Sequence, residues 1–280
     1  KNEQMKVAAI QNCDTPDKNG LESYIENFST LYMLSDSVIE MNRDLQIILW
    51  PENSIVPSIS FKYDYENNLK KLYGENREIT DYDIQTQNFI KRCVDYFSRL
   101  KKYTFIVGNN QMEATDEHQL VYYNAALVFD SETDYEPLKV QAYKKMHLVP
   151  FTEGFPYKKL FPKIYEKLYQ KFDYLYEPGL EYTVFKRGNL RFSTPICFED
   201  TFSDTARNMY KAGSRCFFNL TNDSWAESRV SQYQHMAISI FRAVENRVPL
   251  VRSAATGQTC IVDPNGRITQ MVEPFTKYFV

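Results

Sequence analysis

The chain alternates short apolar runs with amphipathic stretches. β-Rich runs recur at 6–10, 45–50, 104–107, 125–129, 139–143, 191–196, 216–220, 250–252 and 260–262. Helical patterns lie between many of them. Residues 23–42 are long enough for a helix, 81–100 carry Ile84, Phe89, Cys93 and Phe97 at helical spacing, and 230–246 place Tyr233, Ala237, Ile240, Phe241 and Val244 on one stripe. Strand and helix in alternation predict an α/β sandwich. No Pro/Gly/Ser-rich linker divides the sequence, so a single domain over 1–280 is expected, and Asp263-Pro264-Asn265-Gly266 reads as a turn.

One stretch joins this pattern to chemistry. Leu190, Phe192 and Ile196 predict a buried strand, while Asp200 with Phe202, Ala206, Met209 and Tyr210 predicts a capped amphipathic helix, leaving Cys197 in the turn between them. Ligands of α/β sheets bind at the carboxyl ends of strands, and a helix N-terminus there favours a thiolate or an oxyanion. A small buried hydrophobe is the other reading of a lone cysteine at such a place, and the stretch by itself leaves both open.

Composition narrows the setting. The 280 residues are 43% hydrophobic and 25% charged, enough for one large core. A net charge of −3 excludes the basic footprint of a nucleic-acid partner, and no run of 18 apolar residues could span a bilayer. The first residues lack the cationic start and apolar core of a signal peptide, so a chain trimmed from a longer one is expected. Five cysteines (Cys13, Cys93, Cys197, Cys216, Cys260) without CxxC spacing fit neither a disulfide framework nor a zinc site. No metal or cofactor is expected, and Cys216 and Cys260, inside apolar strand patterns, should be buried and unpaired.

Other strand ends carry candidate polar groups. The run ending at Trp50 is stopped by Pro51 and leaves Glu52 at the rim, where a solvated loop glutamate is the plain alternative. The run ending near Tyr143 continues through Lys144, Lys145 and His147 to Glu153; a lysine pair is usually solvated and His147 reads as a packing residue. The run at 216–220 leads into Asn222, Asp223, Ser224 and Trp225, where Asp223 or Ser224 could cap the next helix and Trp225 could be core. Arg242 and Glu245 read as a structural ion pair, and Ala254 to Gly257 as a tight turn. In combination these residues matter more than singly. A cysteine nucleophile needs a base for its proton and a cation or N–H pair for the developing oxyanion, and Glu, Lys and Cys supply those parts.

Taken together, WPE at 50–52, YKKMHLVPFTE at 143–153, ICFE at 196–199, TNDSW at 221–225 and RAVENRVPLVR with the following TG at 242–257 resemble the carbon-nitrogen hydrolase (nitrilase) superfamily. The LVPF-x-E and NDSW phrases resemble the branch of that superfamily that N-acylates lipoproteins. The resemblance implies a four-layer αββα nitrilase-like sandwich and a Glu-Lys-Cys triad on Glu52, Lys145 and Cys197. It further implies substrate-binding positions at Glu153, Phe198, Glu199 and Trp225. Phe198 stands where the branch often has Tyr, Thr152 replaces the Gly of its LVPFGE phrase, and Ala226-Glu227 replace its Phe-Gly, so the loops over the site depart from its pattern. The implied activity moves a fatty acyl group from a phospholipid donor, through a thioester on Cys197, to the N-terminal amine of a lipoprotein acceptor. The implied location is the extracytoplasmic face of a bacterial inner membrane.

A membrane surface is also suggested without the family. From Pro162, Ile164, Tyr165, Leu168, Tyr169 and Phe172 form an aromatic stripe flanked by Lys163, Lys167 and Lys171, which suits either a lipid-facing flap over 155–176 or a helix packed on the core. Two rival functions remain at this level: a soluble amidase or nitrilase-type hydrolase with the same triad and water as second nucleophile, and a silent lipid- or protein-binding module.

Overall fold

The computed structural model describes residues 5–14, 20–74, 79–115, 119–131, 134–158, 160–172 and 175–280, with the side chains of 168–172 excepted. The chain opens with β1 (Val7–Gln11), α1 (Leu21–Met41) and β2 (Ile47–Leu49). The short α2 (Ile59–Tyr63) and α3 (Tyr65–Tyr73) and the longer α4 (Asp81–Arg99) lead to the antiparallel pair β3 (Thr104–Ala114) and β4 (Leu120–Phe129). Next come β5 (Gln141–Lys144), α5 (Pro162–Phe172) and the two-stranded β6 (Phe185–Arg187) with β7 (Leu190–Phe192). A 3-10 turn, Cys197–Thr201, precedes α6 (Ser203–Lys211), β8 (Phe217–Thr221) and α7 (Arg229–Asn246). The last strands are β9 (Leu250–Ala254), β10 (Cys260–Val262), β11 (Ile268–Met271) and β12 (Tyr278–Phe279).

Two larger sheets result, ordered β12-β1-β2-β3-β4-β5 and β11-β10-β9-β8. The six-stranded sheet is apolar on both faces, and strand alternation sorts its residues. Ala9, Ile47, Leu49, Ile106, Ala126 and Val128 face inward toward β8, β9 and β10. Ala8, Ile10, Ile48, Trp50, Phe105 and Leu127 face outward beneath α1 and α4. Trp50 is fully buried there, edge-on to Phe28 at 5.8 Å, with its indole N–H donated to Ser35 at 2.9 Å. On the far side, Ala206 and Met209 of α6 and Met236 and Ala243 of α7 cover the four-stranded sheet. The layers therefore run helix, sheet, sheet, helix, the αββα arrangement expected.

Strand β10 has the bounds read from the sequence; elsewhere packing corrects the pattern. α7 buries Gln232, Met236, Ser239, Arg242, Ala243 and Asn246, whereas Ala237 and Phe241 of the anticipated stripe are exposed. The buried polar side chains are accommodated because their hydrogen bonds are met: Gln232 donates to the loops after β8 and β9, while Ser239, Arg242 and Asn246 donate to partners within α7 itself. Asp200 caps no helix, since α6 begins after Phe202 without a side-chain cap and Asp200 is buried inside the 3-10 turn. Neither Asp223 nor Ser224 caps α7; Ser228 does, accepting from the Ser231 N–H. Asp263 to Gly266 closes a turn as expected, with the Gly266 N–H donated to the Asp263 carbonyl at 3.0 Å.

The two sheets also touch through polar cross-links. The Ser253 hydroxyl of β9 donates to the Ile10 carbonyl of β1 at 2.7 Å, and the Cys13 N–H donates to the Ala255 carbonyl at 2.7 Å. Gly108 of β3 sits where the Pro51–Asn53 turn crosses the sheet. A Cβ there would lie 2.6 Å from the Glu52 Cα and 2.7 Å from the Asn53 nitrogen, both backbone atoms that cannot swing aside. Gly108→Ala should therefore lower stability by about 1–3 kcal/mol in urea unfolding, the usual cost of overpacking. Unchanged stability would mean that the turn bearing Glu52 is free to move.

Candidate active site

The carboxyl ends of β2, β5 and β8 meet the Cys197 turn at a cleft of about 760 Å³. Glu52, Lys145, Glu153, Cys197, Asp223 and His235 all line it. Pro51 ends the β2 ladder, and the following Glu52 is turned inward, 4% exposed rather than solvated. One of its oxygens accepts from Lys145 Nζ at 3.1 Å and from the Asn124 amide at 2.7 Å; the other accepts from the Asn222 N–H at 2.8 Å. Lys145 follows β5 directly, its N–H held by the Asn124 carbonyl at 2.8 Å, and its ammonium is inaccessible to solvent. Glu153 takes a second Lys145 bond at 2.8 Å, another from Asn124 at 2.8 Å and one from the Val149 N–H at 2.8 Å.

Burial alone would strip the Lys145 proton, but Glu52, with Cys197 and Glu153 beyond it, holds its pKa above the ordinary lysine value. Cys197 experiences the opposite balance. Desolvation, then the Glu52 charge, push its thiol well above the usual range, and Lys145 only partly offsets them. The resting sulfur is thus protonated, with a carboxylate and an ammonium in electrostatic reach. Its backbone is held at φ 47°, in the left-handed region that a β-carbon disfavours.

The site residues anticipated from the sequence fall into two groups. Glu52, Lys145, Glu153, Cys197, Phe198 and Trp225 line the cleft together, and Trp225 stands at its lip, 71% exposed, so it is not core. Glu199 does not reach the cleft. It is fully buried behind Cys197, where one oxygen accepts from the Ile196 N–H at 2.8 Å. The other accepts from Tyr143 Oη at 2.7 Å and from the N–H groups of Met146 and His147 at 2.8 and 3.2 Å. Glu199 therefore ties the Cys197 turn to the lysine loop. Desolvation raises its pKa, and the N–H and hydroxyl donors oppose that rise. His147 packs, its ring stacked on Phe202 at 4.3 Å. Arg242 and Glu245 pair at 2.7 Å.

Asn124, Asn219 and His235 carried no sequence signal. Asn124 bridges both glutamates from the middle of β4. The other two join Asp200, Asp223 and Arg252 in a buried ring. Arg252 donates to Asp200 at 2.6 Å, to Asn219 at 2.7 Å and to Asp223 at 3.0 Å, while His235 bonds Asp223 at 2.7 Å and Asp200 at 3.0 Å. Gly257 permits this packing, because a Cβ there would strike the Asp223 carboxylate. Desolvation opposes charge on His235, yet the two carboxylates raise its pKa to about 9. Among the described residues, Cys197, Asp223 and His235 bring ligand atoms within 4.8 Å of one another. Both nitrogens of His235 and both oxygens of Asp223 are already engaged, so the cluster is a charge network and does not offer the free donors a metal needs. The five cysteines are free; burial pushes Cys216 to about 12 and Cys260 to about 11.

Beside the cleft, α5 forms with Ile164 exposed; the side chains of Leu168, Tyr169, Lys171 and Phe172 lie outside the described residues. Among the described residues no helix is long and apolar enough to cross a membrane.

The chain is similar to known proteins. A model of the carbon-nitrogen hydrolase family matches residues 6–278. Apolipoprotein N-acyltransferase 1 of Treponema denticola is 37% identical over 97% of this chain and 49% of its own length. Its namesake in Treponema pallidum is 38% identical over 96% of this chain and 47% of its own. The chain thus spans about half the length of these curated relatives. Among solved structures, Nit3 of Saccharomyces cerevisiae, a member of branch 10 of the nitrilase superfamily, superimposes with a TM-score of 0.63. It is 16% identical, over 98% of this chain and 88% of that one.

Two outcomes follow from the charges. In Glu199→Gln one acceptor oxygen becomes an amide facing N–H donors, so stability should fall by about 1–3 kcal/mol in denaturant unfolding; no loss would show that the buried carboxylate is dispensable as an acceptor. His235 titrates at about 9 in the folded chain against 6.5 when unfolded. Its contribution is complete below about 6.5 and is lost as pH rises through about 9, so urea midpoints should decline across that window and decline less in His235→Gln.

Proposed function

The chain belongs to the carbon-nitrogen hydrolase family, and from that premise we propose that it transfers a fatty acyl group from a phospholipid to the N-terminal amine of a lipoprotein. The observation that carries the reading is the meeting of Glu52, Lys145 and Cys197 in one cleft with an aromatic lip. In this reading Glu52 accepts the Cys197 proton as the sulfur attacks the ester carbonyl of the donor, which matches a thiol kept protonated at rest. The ammonium of Lys145 and the N–H of Phe198 hold the oxyanion. Collapse expels the lysolipid alcohol, which takes its proton from Glu52, and leaves a thioester. The acceptor amine then attacks that thioester and gives its proton to Glu52, the sulfur departs, and the proton returns to it. Glu153 keeps Lys145 aimed by sharing the ammonium with Glu52.

Lipid delivery is supported by the surface beside the cleft. Phe151, Tyr157, Leu160, Phe161 and Ile164 are exposed, with Lys158, Lys163 and Lys167 exposed among them. Aromatic and basic side chains mixed in this way suit an anionic bilayer interface. The proposed setting is the extracytoplasmic face of a bacterial inner membrane, in keeping with the names and greater length of the relatives.

The test is mass spectrometry of the protein after incubation with phospholipid vesicles, followed by a diacylglyceryl-cysteine peptide as acceptor. An acyl adduct on Cys197 that moves to the peptide amine is expected. Cys197→Ala should abolish the adduct, and Lys145→Ala should slow its formation roughly 10²- to 10³-fold. Release of free acid without transfer to the peptide, or hydrolysis of simple amides instead, would replace the reading with that of a hydrolase. An undiminished adduct in Cys197→Ala would remove this nucleophile.

A further inference from the structure

The ring of Arg252, His235, Asp200 and Asp223 lies against the nucleophile, and no step above uses it. Asp200 comes from the turn that begins at Cys197, Asp223 from the loop after β8, Arg252 from β9 and His235 from α7. Each cation bonds both carboxylates, and the guanidinium and imidazole come within 3.1 Å of each other, a repulsion the carboxylates offset. Arg252, Asp200 and Asp223 are shut off from solvent, and of the ring Asp223 and the His235 edge line the cleft.

The Cys197 sulfur, an Asp223 oxygen and a His235 nitrogen are mutually within 4.8 Å. Asp223 and Asp200 both act against a negative sulfur at Cys197. α6 also packs on α7, but its charged residues Asp204, Arg207 and Lys211 are exposed. The other charges lining the cleft beside Cys197 are Glu52, Lys145 and Glu153. With Arg252 as its only cation the ring would carry one net negative charge beside the sulfur, in surroundings where charges are weakly screened. With a protonated His235 it is neutral.

We propose that His235 is a positioning residue of this site: as the second cation of the ring, with Arg252, it cancels the charge of Asp200 and Asp223, so that these two carboxylates do not oppose negative charge on the Cys197 sulfur. The inference deepens the reading of Cys197 as nucleophile, and its test does not depend on acyl transfer.

That test is the pH dependence of Cys197 alkylation by iodoacetamide, followed on the Cys197 peptide by mass spectrometry, with circular dichroism and thermal unfolding to confirm folding. His235→Gln keeps the size and a hydrogen-bonding head but removes the charge, and should move the alkylation curve up by about one pH unit. Asp200→Asn leaves two cations against one carboxylate and should move it down by about as much. The double variant restores neutrality and should return close to the parent. A purely structural histidine would not be rescued by removing a carboxylate. Coincident curves for folded His235→Gln and the parent would overturn the proposal, as would a double variant that keeps the full upward shift. If His235→Gln fails to fold, Asp200→Asn decides alone: a downward shift supports the neutralised ring, and an unmoved or raised curve refutes it.

Discussion

A lysine ammonium with no access to water cannot stand alone, and much of this molecule's active half follows from how Lys145 is accommodated. Desolvating the charge is expensive, so carboxylates must be brought to it, and they come from two separate stretches of chain, Glu52 after β2 and Glu153 in the loop beyond β5. Those carboxylates need further donors, which Asn124 provides to both from β4, and the Asn222 and Val149 N–H groups provide singly. Removing any one partner would leave a buried charge short of a bond. The pieces therefore hold one another in place, and the cleft is preorganised before any ligand arrives.

A second set of bonds positions the sulfur. Glu199 lashes the Cys197 turn to the lysine loop, and the Arg252 ring braces the same turn from the opposite side through Asp200. Between these braces Cys197 is kept in a left-handed backbone that a cysteine would not choose. Burial keeps the thiol neutral, so reactivity is not stored in a resting thiolate. In the proposed reaction it is released by proton transfer to Glu52 when a carbonyl is in place.

The layers of the fold were legible because β1, β2, β3 and β4, whose successive residues go to different apolar cores, read as short continuous apolar runs set between helical patterns. Motif residues at strand ends were legible as a set, although a glutamate after a proline says little by itself about burial. What stayed hidden was long-range pairing. Lys145 meets Glu52 across 93 positions, and Arg252 meets Asp200 across 52. Nothing local marks Asn124 or His235, each a polar residue in an ordinary-looking element. The same blindness misread α7. Its pattern suggests an apolar face inward, whereas the helix buries Gln232, Ser239 and Arg242, whose donors find partners in the neighbouring loops or within the helix itself. Phe241, left outside, is the counterpart of that choice.

Two sheets packed face to face share no ladder of hydrogen bonds, so side-chain interdigitation alone gives little resistance to one sliding over the other. Here the slide is set by a few polar pins: Ser253 to Ile10, Cys13 to Ala255, and Glu52 to the Asn222 N–H beyond β8. The last of these pins is the carboxylate proposed as the general base. Alignment of the layers and alignment of the proton acceptor are consequently one mechanical variable. A shear too small to disturb the hydrophobic interior would detune the base before any strand came apart.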